Sequence, residues 1–300
     1  MRSVLSISSS QVISAYKNYI DVSSFFQGID TLTLYEHESG LLQWHPIIPG
    51  DALFYDLLSK KVKPYYPSHK TEYKVASTLI NSASQILEIG CGSGQFAKYV
   101  SAANWLGIDL NESAVNEAID SGLNAICFDF ESGDLDVLPH QSFEYVVSFQ
   151  TIEHLSDPST LFNFASKVLT PGGKLILGGP AHNSLLGTDP CVALNLPPHH
   201  LTWWPDSAYF HYPSQFGFNC DSLIHCPLDS FHNNFFLGSL FNSIISPSFE
   251  SFPQPISRTL TTLFRRLALL PLKPFISNTI PLDSKFGIHG QSVVAIYSLE

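Results

Sequence analysis

The stretch Gln85-Ile-Leu-Glu-Ile-Gly-Cys-Gly-Ser-Gly-Gln-Phe96 decides the fold of this chain. Its first half is a short apolar run with β-branched members, which predicts a buried strand. Gly90, Gly92 and Gly94 follow, and they predict a turn in which a Cβ atom would block the close approach of a ligand. Helical spacing resumes at Phe96, so we predict a helix whose N-terminus is directed at the turn. Small molecules bind at this point of an open α/β sheet.

Two carboxylates favour a nucleotide site over an ordinary tight turn. Glu88 lies two residues before the first glycine, and Asp109 ends the next apolar strand, 105–108. An acid at the tip of the second strand is suitably placed to accept hydrogen bonds from ribose hydroxyls. A dinucleotide fingerprint would require a third glycine at position 95, where this chain has Gln95.

The segments 88–94 and 107–111 resemble the first two motifs of the S-adenosylmethionine-dependent methyltransferases with a seven-stranded, Rossmann-like sheet. The resemblance runs from about residue 70 to residue 180. It implies a doubly wound, mostly parallel α/β sheet with an antiparallel last strand, and S-adenosylmethionine as cofactor. It also implies that Asp129, just past the third strand, accepts from the adenine amino group. The cofactor-binding residues that it implies are Glu88, Gly90, Cys91, Gly92, Ser93, Gly94, Asp109, Leu110, Asp129, Phe130, Phe149 and Gln150.

Composition limits the partners and the location. A formal net charge of −11 argues against a nucleic-acid partner, because Lys and Arg have to neutralise the phosphates of nucleic acids. The five cysteines form no C-x-x-C pair, as is typical of reduced thiols in a cytosolic protein. The N-terminus lacks the apolar stretch of a signal peptide, and no run approaches the roughly 20 apolar residues of a membrane span. We therefore predict a cytoplasmic protein with a small-molecule or saccharide partner.

We divide the chain into an N-terminal segment, 1–69, and a cofactor-binding domain, 70–300, with insertions at 181–205 and 228–286. The aromatic-rich N-terminal segment is predicted to be a helical cap that helps to bind the acceptor. In the second insertion, the sequence pattern over 258–270 predicts an amphipathic helix. Its basic face is small, so a surface or oligomer contact is favoured over a peripheral membrane contact. The oligomeric state stays open.

Outside the motifs, spacing and turn residues predict several further elements. Helices are predicted over 51–61, 70–80 and 206–216, and strands over 124–128, 145–149, 174–177, 218–224 and 291–298. The strand at 291–298 is predicted to be the antiparallel last strand of the sheet.

Three histidines are candidates for a catalytic base. If the acceptor is a hydroxyl, a base must take its proton, and histidine titrates near neutral pH. His154 follows the fourth strand, whereas His199 and His200 lie in a Pro-Pro-His-His loop expected to overhang the carboxyl edge of the sheet. We favour His200, although the sequence does not decide between the two. The alternative is a buried histidine that only satisfies backbone groups.

The pair Glu153-His154 also raises the question of a metal ion. It resembles a stretch of the quinone-pathway methyltransferases, in which an acid three residues before the pair helps to hold a divalent cation. Here that place is Gln150, a poorer ligand for a hard cation. We therefore predict no metal site and expect Glu153 and His154 to line the acceptor pocket or to brace the loop.

Three functions follow from these observations. The first is methyl transfer to a small-molecule or saccharide hydroxyl. The prediction of a saccharide acceptor depends on a resemblance. The N-terminal aromatic pattern and the Pro-Pro-His-His run resemble those of methyltransferases associated with bacterial surface polysaccharide assembly. The second is an NAD-dependent oxidoreductase, which Gln95 disfavours. The third is a non-catalytic module that binds a nucleoside.

Overall fold

The computed structural model describes residues 1–62, 65, 67, 69–131, 138, 141–184, 192–227 and 290–300. The strands are β1 (Arg2–Ser8), β2 (Thr31–Glu36), β3 (Leu42–His45), β4 (Ile86–Ile89), β5 (Trp105–Asp109), β6 (Ala125–Cys127), β7 (Phe143–Phe149), β8 (Leu169–Pro180), β9 (Thr202–Trp203), β10 (Phe218–His225) and β11 (Ser292–Leu299). The α-helices are α1 (Ser9–Tyr16), α2 (Ala52–Lys61), α3 (Thr71–Ser77), α4 (Glu112–Asp120), α5 (Ser159–Val168) and α6 (Asp206–His211). The second insertion, 228–286, with its predicted helix over 258–270, lies outside the described residues.

The larger sheet has seven strands in the order β10-β11-β8-β7-β4-β5-β6. Strands β4 to β8 pair in parallel, whereas β11 runs antiparallel to both β8 and β10. This order confirms the predicted doubly wound sheet with an antiparallel last strand. The chain leaves β4 towards β5 on one side and returns as β7 on the other. The carboxyl ends of β4 and β7 therefore form the switch point at which such sheets bind ligands.

Apolar side chains cover both faces of this sheet. One core cluster includes residues of α5 and α6, and the other includes residues of α3 and α4. The central strands are buried on both faces, as parallel strands in doubly wound sheets are, which explains why 86–89 is a continuous apolar run interrupted only by Glu88.

The N-terminal segment contains a second sheet that the prediction of a helical cap missed. Its four strands are antiparallel in the order β1-β2-β3-β9. Strand β9 comes from the first insertion, and Trp203 on it packs edge to face on Trp44 of β3, with ring centroids 5.7 Å apart. In β2, Leu32 and Leu34 are buried between more exposed neighbours, and this alternation is the pattern that would have predicted the strand.

Two predicted helices differ from the observed elements. The segment after the glycine turn forms a single 3-10 turn, Phe96–Tyr99, instead of a longer helix, because the connection from β4 to β5 is short. The predicted helix at 206–216 ends at His211, and a separate 3-10 turn with Pro213 at its first position follows. The helix over 51–61 is confirmed, with the Asp51 carboxylate accepting a hydrogen bond from the N–H of Phe54 at 2.7 Å.

Within the described part of the chain, no helix combines the length and the apolar character needed to cross a bilayer.

Candidate active site

The glycine turn follows β4 and has a conformation that side chains disfavour. Gly90, Gly92 and Gly94 have φ values of +73°, +52° and +72°. An added Cβ atom would lie 2.3 Å from Thr151 Oγ1 at Gly90, and 2.4 Å from Leu123 Cδ1 at Gly94. Backbone conformation and packing both require glycine here, so the turn presents bare backbone at the switch point.

Asp109 binds the glycine turn directly. Its Oδ2 accepts a hydrogen bond from the N–H of Gly92 at 2.7 Å, and its Oδ1 accepts one from the N–H of Asn111 at 2.8 Å. Each carboxylate oxygen has a second lone pair, so both can still accept ribose hydroxyls. Leu110, the next residue, is 61% exposed and available to pack on a ligand. Burial raises the pKa of Asp109, and the backbone N–H groups oppose this shift.

Glu88 lies inside the sheet under the turn. It is buried, and Trp105 Nε1–H of the neighbouring strand donates a hydrogen bond to its Oε2 at 2.9 Å. Burial raises the pKa of Glu88 from 4.5 to about 8. The adjacent Cys91 is buried as well, and burial raises its pKa. In this structure Glu88 therefore braces the two strands that carry the turn and Asp109.

The raised pKa of Glu88 predicts a pH-dependent stability. Between about pH 4.5 and about pH 8, Glu88 is ionised in the unfolded chain and protonated in the folded one. The free energy of unfolding should therefore fall as the pH rises through this window, by up to about 1.4 kcal/mol per pH unit from this group. Glu88→Gln copies the protonated acid and keeps an acceptor for Trp105, so it should flatten the slope. Urea unfolding at several pH values measures this difference, and equal slopes for both proteins would contradict it.

The structure separates the other predicted cofactor residues into two groups. The rings of Phe130 and Phe149 are buried in the core, and the ring centroids of Phe149 and Phe96 are 4.7 Å apart.

The second group is polar and lies at strand ends: Asp129 and Gln150 follow the ends of β6 and β7. Gln150 has φ +54°, and its Nε2 donates a hydrogen bond to a carboxylate oxygen of a buried glutamate, Glu72, at 3.1 Å. Asp129 Oδ1 accepts from the N–H of Glu131, and Ser93 Oγ accepts from Gln95 Nε2, each at 3.0 Å.

The three candidate histidines meet in one cluster past the end of β7. Ring centroids are 4.5 Å apart for His154 and His199, 5.0 Å for His154 and His200, and 4.7 Å for His199 and His200. Hydrogen bonds join the segment that carries Glu153 and His154 to the segment that carries His199 and His200. The N–H of Leu201 donates to the carbonyl of Glu153 at 2.8 Å, and His154 Nδ1 contacts the carbonyl of His199 at 2.6 Å.

Glu153 is the buried acid of this cluster. Its Oε1 lies 3.8 Å from His154 Nε2 and 3.9 Å from His200 Nε2. Neither carboxylate oxygen has a hydrogen-bond partner among the described residues. Burial raises the pKa of Glu153 to about 8 and lowers that of His154 to about 4. Burial also lowers the pKa values of His199 and His200, so the imidazoles are neutral at pH 7.

His182, which no sequence motif indicated, lies close to the cluster. Its ring stacks on Trp203 at 5.4 Å and lies 6.3 Å from that of His200. Its Nδ1 accepts the N–H of Trp204 at 2.8 Å. The signal that could have found it is its position just after β8, since residues past the carboxyl ends of parallel strands converge at the ligand site.

Comparisons with known proteins agree with this geometry. Residues 87–177 match a family model described as a methyltransferase domain. The 27-O-demethylrifamycin SV methyltransferase of Amycolatopsis mediterranei is 34% identical over 107 residues, which are 33% of this chain and 39% of that protein. The ubiquinone biosynthesis O-methyltransferase of Idiomarina loihiensis is 29% identical over 139 residues, which are 42% of this chain and 54% of that protein. The matched segment thus spans about two fifths to one half of these relatives.

A solved structure of a SAM-dependent methyltransferase from Archaeoglobus fulgidus shares the fold, with a TM-score of 0.51 and 16% identity. The match covers 82% of this chain and 99% of that chain. The strand order, the bare glycine turn and the family match all agree with the resemblance found in the sequence. Residues 87–177 therefore match a methyltransferase domain, and the sheet that contains them has the fold of the class I, S-adenosylmethionine-dependent methyltransferases.

Proposed function

We propose that the protein transfers a methyl group from S-adenosylmethionine to a hydroxyl of a small-molecule or saccharide acceptor, with a histidine as base. The observation that carries the proposal is the contact between Asp109 and the N–H of Gly92, which fixes an acid beside a bare turn at the switch point. The histidine cluster lies past the end of the neighbouring strand, β7, on the same edge of the sheet.

The cofactor fits the residues at this edge. Asp109 would accept the ribose hydroxyls, Leu110 would pack on the adenine, and Asp129 would accept from its amino group. The turn at Gly90 to Gly94 would approach the amino-acid portion. S-adenosylmethionine supplies a methyl group already activated on a sulfonium, so the protein mainly aligns donor and acceptor. Alignment of this kind contributes on the order of 7–11 kcal/mol in favourable cases.

His200 is the histidine best placed to take the acceptor proton. Both ring nitrogens of His199 are hydrogen-bonded, Nδ1 to the carbonyl of Leu194 and Nε2 to the hydroxyl of Tyr65. His154 Nδ1 is hydrogen-bonded to the carbonyl of His199. His200 Nδ1 has no hydrogen-bond partner among the described residues, while its Nε2 faces Glu153. When Glu153 is ionised, its carboxylate stabilises the imidazolium that forms when His200 takes a proton.

The names of the two curated relatives support a small-molecule acceptor, and one of them names an O-methyltransferase. A saccharide acceptor is supported only by the sequence resemblance. The cytoplasmic location and the lack of a nucleic-acid partner depend on composition and stay predictions.

Calorimetric titration tests the proposal against its alternatives. We expect S-adenosylmethionine to bind with 1:1 stoichiometry and NAD to give no response. Tight NAD binding without a response to S-adenosylmethionine would establish the oxidoreductase instead. A protein that binds S-adenosylmethionine but transfers no methyl group to any member of a panel of phenolic and saccharide hydroxyls would be a nucleoside-binding module.

A further inference from the structure

We propose that His154, His199, His200 and Glu153 form a binding site for one transition-metal dication, with Zn²⁺ as the best match. The inference depends on the geometry of the cluster and not on methyl transfer. It revises the expectation of no metal site, which considered only the residues near Glu153 in the sequence.

The ligand atoms are already close to one another. One ring nitrogen from each histidine lies within 4.8 Å of the others. Glu153 Oε1 lies 3.8 Å from His154 Nε2 and 3.9 Å from His200 Nε2. A tetrahedral Zn²⁺ site with bonds of about 2.0–2.2 Å holds its ligand atoms roughly 3.3 Å apart. Movements of less than about 1 Å per ligand atom therefore close the cluster around an ion.

Backbone carbonyls fix the tautomers that a metal requires. A carbonyl oxygen only accepts, so His154 Nδ1–H donates to the carbonyl of His199 at 2.6 Å, and His199 Nδ1–H donates to that of Leu194 at 2.9 Å. This leaves the Nε2 lone pair of each ring for a metal, which is the usual arrangement for ligating histidines. The lone pair of His199 accepts the hydroxyl of Tyr65 at 3.0 Å, and an ion would take the place of that contact.

Glu153 provides a second, independent observation. A buried carboxylate without partners is costly unless it is neutralised, paired or bound to a metal. Both of its oxygens lack a hydrogen-bond partner among the described residues, and so does His200 Nδ1. A dication would satisfy the acid and the imidazoles together. The side chains of His154 and His200 are 18% and 10% exposed, so the cluster is not sealed from solvent.

The donor set selects the class of metal. Three imidazoles and one carboxylate suit Zn²⁺ and its first-row neighbours, whereas Mg²⁺ and Ca²⁺ prefer oxygen ligands throughout. Gln150 does not take part, because its Nε2 donates to Glu72. Two of the four ligands come from the first insertion, which the hydrogen bond from Leu201 to Glu153 attaches to the end of β7.

A metal and a proton would compete for the same lone pairs. If His200 is the base under the proposed function, Zn²⁺ at this site lowers turnover in proportion to its occupancy. Turnover that is unaffected by bound Zn²⁺ would count against the base and would leave the metal site intact. The test of the site is therefore made without cofactor or acceptor.

The experiment is calorimetric titration of the chelator-treated full chain with ZnCl₂, together with the absorption spectrum of the Co²⁺-loaded protein. We expect one site per chain, a tetrahedral Co²⁺ spectrum without thiolate charge transfer, and an increase in Tm with Zn²⁺. Glu153→Gln and His154→Ala should weaken binding at least 10-fold. His211→Ala and Cys127→Ser, which alter an exposed histidine and an exposed cysteine, should leave it unchanged.

Thermal unfolding of each variant without metal shows whether it folds. Glu153→Gln changes the shape of the side chain least, so it is the variant best able to keep the native fold. Two results would overturn the inference. One is the absence of saturable binding in the wild type, which would mean that ordered water satisfies the cluster. The other is a dissociation constant for Zn²⁺ that is the same in folded Glu153→Gln and His154→Ala as in the wild type.

Discussion

Replacing His200 by alanine should lower methyl-transfer turnover by a factor of roughly 100 or more, while the dissociation constant for S-adenosylmethionine stays near that of the wild type. General-base catalysis contributes about 10² to 10⁴ in rate. His200 has an unpartnered ring nitrogen, and its other nitrogen faces the buried acid Glu153. The measurement is kcat at saturating cofactor with chelator present, together with calorimetric titration of the same protein.

Two controls separate chemistry from structure in this experiment. His211→Ala removes an exposed histidine that is not part of the cluster and should leave kcat unchanged. Added imidazole should partly restore the turnover of His200→Ala, because a small base can enter the space that the side chain leaves. Unchanged turnover in folded His200→Ala would remove His200 from the chemistry.

Replacing Asp109 by alanine should raise the dissociation constant for S-adenosylmethionine about 100-fold or more. Two hydrogen bonds from ribose hydroxyls to a charged acceptor are worth about 1.5–3 kcal/mol each, and 1.4 kcal/mol is about a factor of ten. The substitution also frees the N–H groups of Gly92 and Asn111, so the turn loses its side-chain contact with β5. Calorimetric titration of folded protein measures the effect.

Asp120→Ala is the matched control for this prediction, because Asp120 is exposed at the end of α4 and should leave the affinity unchanged. Asp109→Asn keeps one side-chain oxygen as an acceptor and should fall between the wild type and Asp109→Ala. An unaltered dissociation constant for Asp109→Ala would count against the ribose assignment.

The large sheet could be predicted from the sequence because its buried parallel strands are short apolar runs with turn residues at their ends. The run 86–89 and the three glycines after it are local signals, and so is the capping carboxylate of Asp51. In the small sheet only the β2–β3 hairpin is local, and its other pairings join segments far apart in the chain. Strand β9 has only two residues, and the partner of Trp203 is Leu42, far away in the chain.

The site was predictable to different degrees. Asp109 followed from the position of an acid at a strand end, and its bond to Gly92 supports that reasoning. Phe149 was carried over from the resemblance and stays a prediction; its ring is buried against that of Phe96. Each cluster histidine was a candidate on its own, but their convergence on Glu153 depends on a tertiary hydrogen bond that no local pattern encodes.

The most direct test of the central claim is a crystal structure of the full chain soaked with S-adenosylhomocysteine. We predict ribose hydroxyls on Asp109, the amino-acid portion beside the turn at Gly90 to Gly94, and the sulfur directed towards the cluster of His154, His199 and His200. A compound bound elsewhere, or an empty cleft at saturating concentration, would contradict the account.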